Sequence, residues 1–135
     1  MGKKLKIYIC YHLPWQLLAA TIFTLSSIPG EDLPDIGIRA ADKLAHFVIF
    51  GVLAVFLYRS FSRSARPDLR KFAASMGILI TILYGVLDEL HQFFIPGRTP
   101  SILDWIADLT GAVLFVLIYR ILQRKVPALR KNRES

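Results

Sequence analysis

The sequence predicts an all-α integral membrane bundle of four transmembrane helices with both termini in the cytoplasm. Three observations predict it. Four apolar runs, each near the length of a bilayer crossing, divide the chain. Hydrophobic residues make up 54% and mean hydropathy is +0.46, beyond the ~45–50% apolar content of a soluble globule. Finally, 14 of the 17 Lys and Arg fall in the three segments that four crossings place on one side, counting Arg120 at the adjoining end of the fourth helix. The positive-inside rule reads that side as cytoplasmic. At 135 residues the chain is one domain, residues 1–135.

The first run follows Lys3, Lys4 and Lys6 and extends from Ile7 to about Pro29, interrupted by His12, Pro14 and Gln16. A charged start before an apolar stretch also opens a signal peptide, but this run exceeds the usual h-region and ends without an A-x-A pattern. It is read as a first transmembrane helix over roughly 7–29, kinked or started near Pro14. Gly30 to Asp42 is polar, turn-rich and acidic. The second helix is expected over 43–61, where ~1.5 Å per residue just spans a ~30 Å hydrocarbon core. Arg59 to Lys71 is strongly basic, and Pro67 bars helical continuation. The third helix is expected over 72–95, ended by Pro96-Gly97, and the fourth over 102–122, before the basic tail Arg124–Ser135.

Charge sorts along this topology. The external side holds Arg39, Lys43 and Arg98 with eight of the ten acids, so the loops Gly30–Asp42 and Gly97–Ile102 lie outside. The net charge of +7 therefore does not mark a nucleic-acid face. In hydrocarbon every backbone polar group needs an internal partner, which runs of this length supply only as helices. Small residues, among them Gly51, Gly77, Gly85, Gly111 and Ala112, let those helices approach closely. Cys10 is the only cysteine, which excludes an intramolecular disulfide and a cysteine-based zinc site. His12 is placed at the cytoplasmic interface, and Trp15, Tyr58, Trp105 and Tyr119 in the aromatic belts.

The chain is organised around Tyr84 to Gly111, where Asp88, Glu89, His91, Gln92, Arg98, Asp104 and Asp108 sit in or between apolar segments. An ionisable group at membrane depth costs about 2.5–3.5 kcal/mol on insertion scales, so such a concentration marks a functional site. Asp42, Lys43 and His46 open the second helix at the same depth. Asp88 falls ~10 Å below the outer end of the third helix. Helical spacing puts Asp42 with His46, Asp88 with His91 and Gln92, and Asp104 with Asp108 and Gly111 on shared faces. Glu89 points off that arc, toward Arg98 or the interface. The three stripes converge on a polar pocket open to the outside.

Asp42, Asp88, Glu89, Asp104 and Asp108 face only Lys43 and Arg98 as fixed cations. Five ionised acids do not persist in low dielectric against two cations. Protonation, His⁺ pairing, a metal or a cationic ligand must absorb the excess, and a bare phosphate is disfavoured unless a divalent cation bridges it. Two chemistries follow. His46 or His91 acts as acid or base with Asp42 or Asp88 orienting it, Glu89, Gln92 and Asp104 completing the catalytic set. Alternatively, the histidines and carboxylates hold Zn²⁺ or Mn²⁺, although no H-E-x-x-H spacing is present. Lys43, Arg98 and Asp108 are ligand-binding candidates, Arg98 as the anion contact. Against both stands a structural reading in which these groups only hold helices together, for instance through Arg98–Asp104; such polar glue is worth about 0.6 kcal/mol per contact. No G-x-S-x-G motif appears; Ser26, Ser27 and Ser101 sit at pocket depth without a local signature.

DKLAHFVIFGVLA, YGVLDELHQFFIPGR and the following D-x3-D-x2-G, after Ser26-Ser27-Ile28-Pro29, resemble the VanZ-like family of small bacterial membrane proteins over roughly Leu25 to Leu122. Asp108 departs from the asparagine usual in that pattern. The resemblance implies a multi-pass protein of the bacterial plasma membrane acting in the cell envelope, with a namesake that confers low-level resistance to teicoplanin. The expected partner is a membrane lipid or lipid-linked envelope precursor, bound or turned over by the pocket. The alternative is a binding, sensing or structural membrane subunit.

Overall fold

The computed structural model describes residues 2–32 and 39–125. The rest of the acidic loop, residues 33–38, and the basic tail beyond Lys125 lie outside them, so the expectations for those stretches do too. All regular structure among the described residues is helical: α1 (Lys3–Ile7), α2 (Leu13–Ser26), α3 (Arg39–Ser62), α4 (Pro67–Lys71), α5 (Ala73–Gln92) and α6 (Ile102–Lys125).

Among the described residues, three helices are long and apolar enough to cross a membrane: Ala41–Ser62 within α3, α5 and α6. The N-terminal helix is divided. A π-helical turn, Tyr8–His12, joins α1 to α2, and Leu13 N–H reaches back to the carbonyl of Tyr8. Pro14, with no N–H to offer, sits in the first turn of α2. The irregular turn therefore falls just before the residue whose ring and missing donor disrupt α-helical bonding. In the basic loop Pro67 opens the short α4, since a proline at the first helical position gives up only an N–H that would be unpaired there. α5 stops at Gln92. The next two turns tighten through Phe94 N–H to His91 O and Ile95 N–H to Gln92 O, and Gly97 then takes φ +71° to reverse the chain.

The bundle buries polar groups inside and leaves large apolar side chains outside. Buried polar groups include Ser26, Ser60, Thr81, Asp88, Gln92, Asp104 and Asp108, while Leu79, Leu83, Val86, Leu87, Leu117 and Ile118 stand exposed. A water-soluble fold buries the second set rather than the first. The arrangement fits lipid around the helices. Two apolar clusters complete the interior: Ala54, Tyr58, Ala73, Ala112 and Val116 between α3, α5 and α6, and Ile22, Phe50, Leu53 and Leu57 between α2 and α3.

Backbones touch where small residues permit. A Cβ on Gly111 would collide with the backbone of Phe47 across the α3–α6 contact, and one on Gly77 would lie 2.9 Å from Tyr58 N. These contacts draw α3, α5 and α6 together and set the distance across which their polar residues meet.

Tyr58 is a correction to the expected aromatic belt. It is buried, edge-on to Tyr119, with its hydroxyl 3.3 Å from Gln123 Oε1. Its place between α3 and α6 gives both ring and hydroxyl protein partners.

Candidate functional site

α3 and α6 start, and α2 and α5 end, at the same end of the bundle, and the polar residues lie there. At the opposite end Tyr11 lies under the guanidinium groups of Arg59 and Arg63, and His12 Nδ1 lies 2.7 Å from Ser60 Oγ. The helices thus gather Arg59, Arg63 and Tyr11 at one end and the buried carboxylates, with His46 and His91, at the other.

Two pairs bind the start of α3 to the start of α6, the second about one helical turn along from the first. Lys43 Nζ donates to Asp104 Oδ1 at 2.8 Å, and His46 Nδ1 lies 3.0 Å from Asp108 Oδ1. An i, i+3 step on α3 facing an i, i+4 step on α6 keeps both pairs on the same seam. Asp104 is 5% exposed and Asp108 wholly buried. Asp108 Oδ2 has no hydrogen-bond partner, and a Cβ on Gly85 would press against it at 2.7 Å. The His46 ring also stacks on Phe50, with centroids 5.6 Å apart and planes within 8°. Clamped by a carboxylate and a ring, His46 has one orientation, and its Nε2 is left for another partner.

That partner space is a partly open cavity of about 280 Å³ between α2, α3 and α5. Ile22, Leu25, Ala45, Ile49 and Phe50 supply apolar walls, while Ser26, Asp42, His46, Asp88, Gln92 and Arg98 supply polar ones. Asp88 is 5% exposed and accepts Gln92 Nε2–H at Oδ2, 2.9 Å away. The i, i+4 spacing on α5 makes that bond local and fixes the carboxylate.

Several residues take roles other than those expected from the sequence. Glu89 does not meet Arg98. Its Oε2 accepts the N–H of Ser101 at 2.6 Å, just ahead of α6, where a carboxylate favours the unpaired donors and positive dipole of a helix start. Its Oε1 is buried without a hydrogen-bond partner. Arg98 does not meet Asp104. Its Nε donates to Ile28 O at 3.1 Å and its Nη2 to Leu25 O at 2.9 Å, a cation meeting the carbonyls at the end of α2. Gly30 N–H to Pro96 O at 2.9 Å secures the same junction. His91 is not among the cavity walls: it stacks on Phe23 at 4.7 Å and its Nε2 lies 2.9 Å from Ser27 Oγ.

Of the expected residues, the cavity thus gathers Asp42, His46, Asp88, Gln92 and Arg98. Lys43, Asp104 and Asp108 stand along the α3–α6 seam beside it. Two sets bring possible metal-ligand atoms within 4.8 Å of one another: Asp42, His46 and Asp104, and His46, Asp88 and Glu89. Sequence spacing missed Ser26 and Ser27 as site residues, and Tyr84, whose hydroxyl donates to Ala19 O at 2.7 Å and ties α5 to α2 beneath the cavity. The serines share the depth of the acids, which is the one signal they offer.

The family model described as VanZ/LLP1 matches residues 6–123. No curated protein matches the chain, and no solved structure does.

Proposed function

The chain belongs to the VanZ/LLP1 family, and on that premise we propose that its cavity receives the headgroup of an envelope lipid or lipid-linked precursor. The protein is read as a four-pass protein of the bacterial plasma membrane, with both termini cytoplasmic and the cavity in the outer leaflet. A fourth span is supported by the end-to-end run of α1, the π turn and α2 from Lys3 to Ser26, which at ~1.5 Å per residue is long enough to cross. α2 carries no Asp, Glu, Lys or Arg and presents Leu17 and Phe23 outward. The bias of Lys and Arg toward the α3–α5 loop and both tails orients the bundle.

The observation that carries this reading is the composition of the cavity walls. Apolar side chains from α2 and α3 face carboxylates, an imidazole and a guanidinium across one space. A lipid is amphipathic in the same way, and a pocket of this kind fits a headgroup with the start of its tails. Within it His46 is positioned to exchange a proton through Nε2, because Asp108 holds Nδ1. The resemblance adds a lipoglycopeptide susceptibility phenotype as a cellular readout.

Lipid and precursor profiling of a deletion strain tests the proposal. We expect one envelope lipid or precursor to change in abundance, with restoration by the wild-type gene and not by Asp88→Asn. An unchanged profile, or full restoration by that variant, would refute it. The second reading, structural polar glue, draws on the Lys43–Asp104 and His46–Asp108 pairs. It predicts that loss of function follows loss of folded protein.

A further inference from the structure

We propose that His46, Asp88 and Glu89 form a binding site for a divalent transition-metal ion of the Zn²⁺ or Mn²⁺ kind. The three residues bring one possible ligand atom each to within 4.8 Å of the others. Around a tetrahedral ion with ligands at ~2.1 Å, neighbouring donors stand about 3.4 Å apart. Side-chain rotations closing the set by roughly 1.4 Å at most would therefore complete it.

What separates this set from an ordinary acidic cluster is that each residue is already held at one polar atom by a partner within the protein. His46 is held at Nδ1 by the buried Asp108 carboxylate. Asp88 is held at Oδ2 by Gln92. Glu89 is held at Oε2 by the N–H of Ser101. Outer partners of this kind fix the tautomer of a ligating histidine and the direction of a ligating carboxylate. The atoms left over are His46 Nε2, Asp88 Oδ1 and Glu89 Oε1.

Charge and burial supply an independent observation. Glu89 Oε1 is shut off from solvent with no hydrogen-bond partner. A carboxylate oxygen so placed is costly unless a proton or cation meets it. Among the described side chains the cations at this end are committed elsewhere: Lys43 to Asp104, and Arg98 to two backbone carbonyls. Among the described residues Asp88 and Glu89 have no ion-pair partner. A divalent ion supplies the two positive charges they lack, and one nitrogen with two oxygens suits zinc or manganese. The second set, Asp42, His46 and Asp104, is the poorer site because the ammonium of Lys43 already occupies Asp104.

Three protein ligands leave a coordination position open, and His46 and Asp88 are cavity walls. An ion there would turn an acid-rich cavity into one that accepts a phosphate oxygen. This bears on the headgroup reading, but the metal test needs no lipid, so the two proposals stand or fall separately.

The test is equilibrium dialysis of detergent-purified, chelator-stripped protein against ZnCl₂ and against MnCl₂. We expect one ion per wild-type chain for at least one of the two. Glu89→Gln and Asp88→Asn should each bind at least tenfold more weakly, Asp108→Asn about tenfold more weakly, and Asp68→Asn in the basic loop like wild type. Saturating metal should raise the melting temperature of wild type and leave that of Glu89→Gln unmoved. Wild-type protein that takes up neither ion stoichiometrically, or Glu89→Gln that binds as tightly, overturns the site. Should a variant fail to fold, wild-type stoichiometry and its metal-dependent melting temperature still decide.

Discussion

His46 Nδ1 lies 3.0 Å from Asp108 Oδ1 across the seam between α3 and α6, and no part of Asp108 reaches solvent. A buried carboxylate with its partner removed is strongly destabilising, by about 3–5 kcal/mol in soluble proteins. In a membrane the unfolded helices also find partners for such groups, so the loss is smaller. His46→Ala should therefore lower stability by roughly 2 kcal/mol. Asp108→Asn, which keeps an acceptor oxygen beside His46, should cost about 1 kcal/mol or less. Thermal unfolding of the two purified variants in the same detergent checks the order; equal losses would count against the pair.

Asp88 and His91 stand three residues apart on α5, yet only Asp88 lines the cavity. Asp88→Asn preserves an acceptor for Gln92 while removing the charge, so the protein should insert and melt near wild type but lose its cellular effect. His91→Gln should retain that effect and lose about 1 kcal/mol through its contact with Ser27. Lipoglycopeptide susceptibility or lipid profile, measured beside melting temperature, separates the two. A silent Asp88→Asn together with an inactive, stable His91→Gln would put the working residue outside the cavity.

This contrast marks how far spacing reads the site. Asp42 with His46 and Asp104 with Asp108 are legible because four-residue steps on a helix share a face whatever surrounds them. Shared depth follows from the apolar runs and the charge bias. Partner choice is different. Glu89 meets Ser101 and Arg98 meets Leu25 and Ile28 because the turn from Phe93 to Pro100, with Gly97 at positive φ, folds back over the ends of α2 and α5. That fold-back is a tertiary result with no periodic signal. His91 is lost from the cavity for a similar reason: α2 offers Phe23 and Ser27 beside it.

Gly111 is where α6 rests on the backbone of Phe47. Gly111→Ala would force the two helices apart because its added methyl meets backbone rather than a yielding side chain. Overpacking of this kind typically costs about 1–3 kcal/mol. The same shift would lengthen the His46–Asp108 contact one turn away, so activity per folded molecule should fall as well. A variant that melts and functions like wild type would show that the seam has slack.

Orientation across the membrane is open to a chemical check. In a Cys10→Ser background, Ser64→Cys in the basic loop should be protected from a membrane-impermeant thiol reagent in intact cells and labelled after permeabilisation. Ser101→Cys, ahead of α6, should label in intact cells. Reversed labelling would invert the bundle and put the cavity on the cytoplasmic face.

Arg98 carries the sharpest conflict between a ligand role and a structural one. Two of its nitrogens donate to Leu25 O and Ile28 O at the end of α2, where a cation also meets the negative end of the helix dipole. These charge-assisted bonds hold the α5–α6 turn against α2, and the turn in turn holds the Glu89–Ser101 contact. Arg98→Gln should thus loosen the junction locally, with amide exchange across residues 25–32 accelerating tenfold or more while the interiors of α3 and α6 keep their protection. If the guanidinium served mainly as an anion contact, Arg98→Gln would abolish function with exchange unchanged, since nothing in the fold would have relied on it. Hydrogen exchange in lipid nanodiscs, read beside the cellular assay, separates these outcomes. We expect faster exchange with partial loss of function, because Arg98 is both a wall of the cavity and the clasp between the α5–α6 turn and α2.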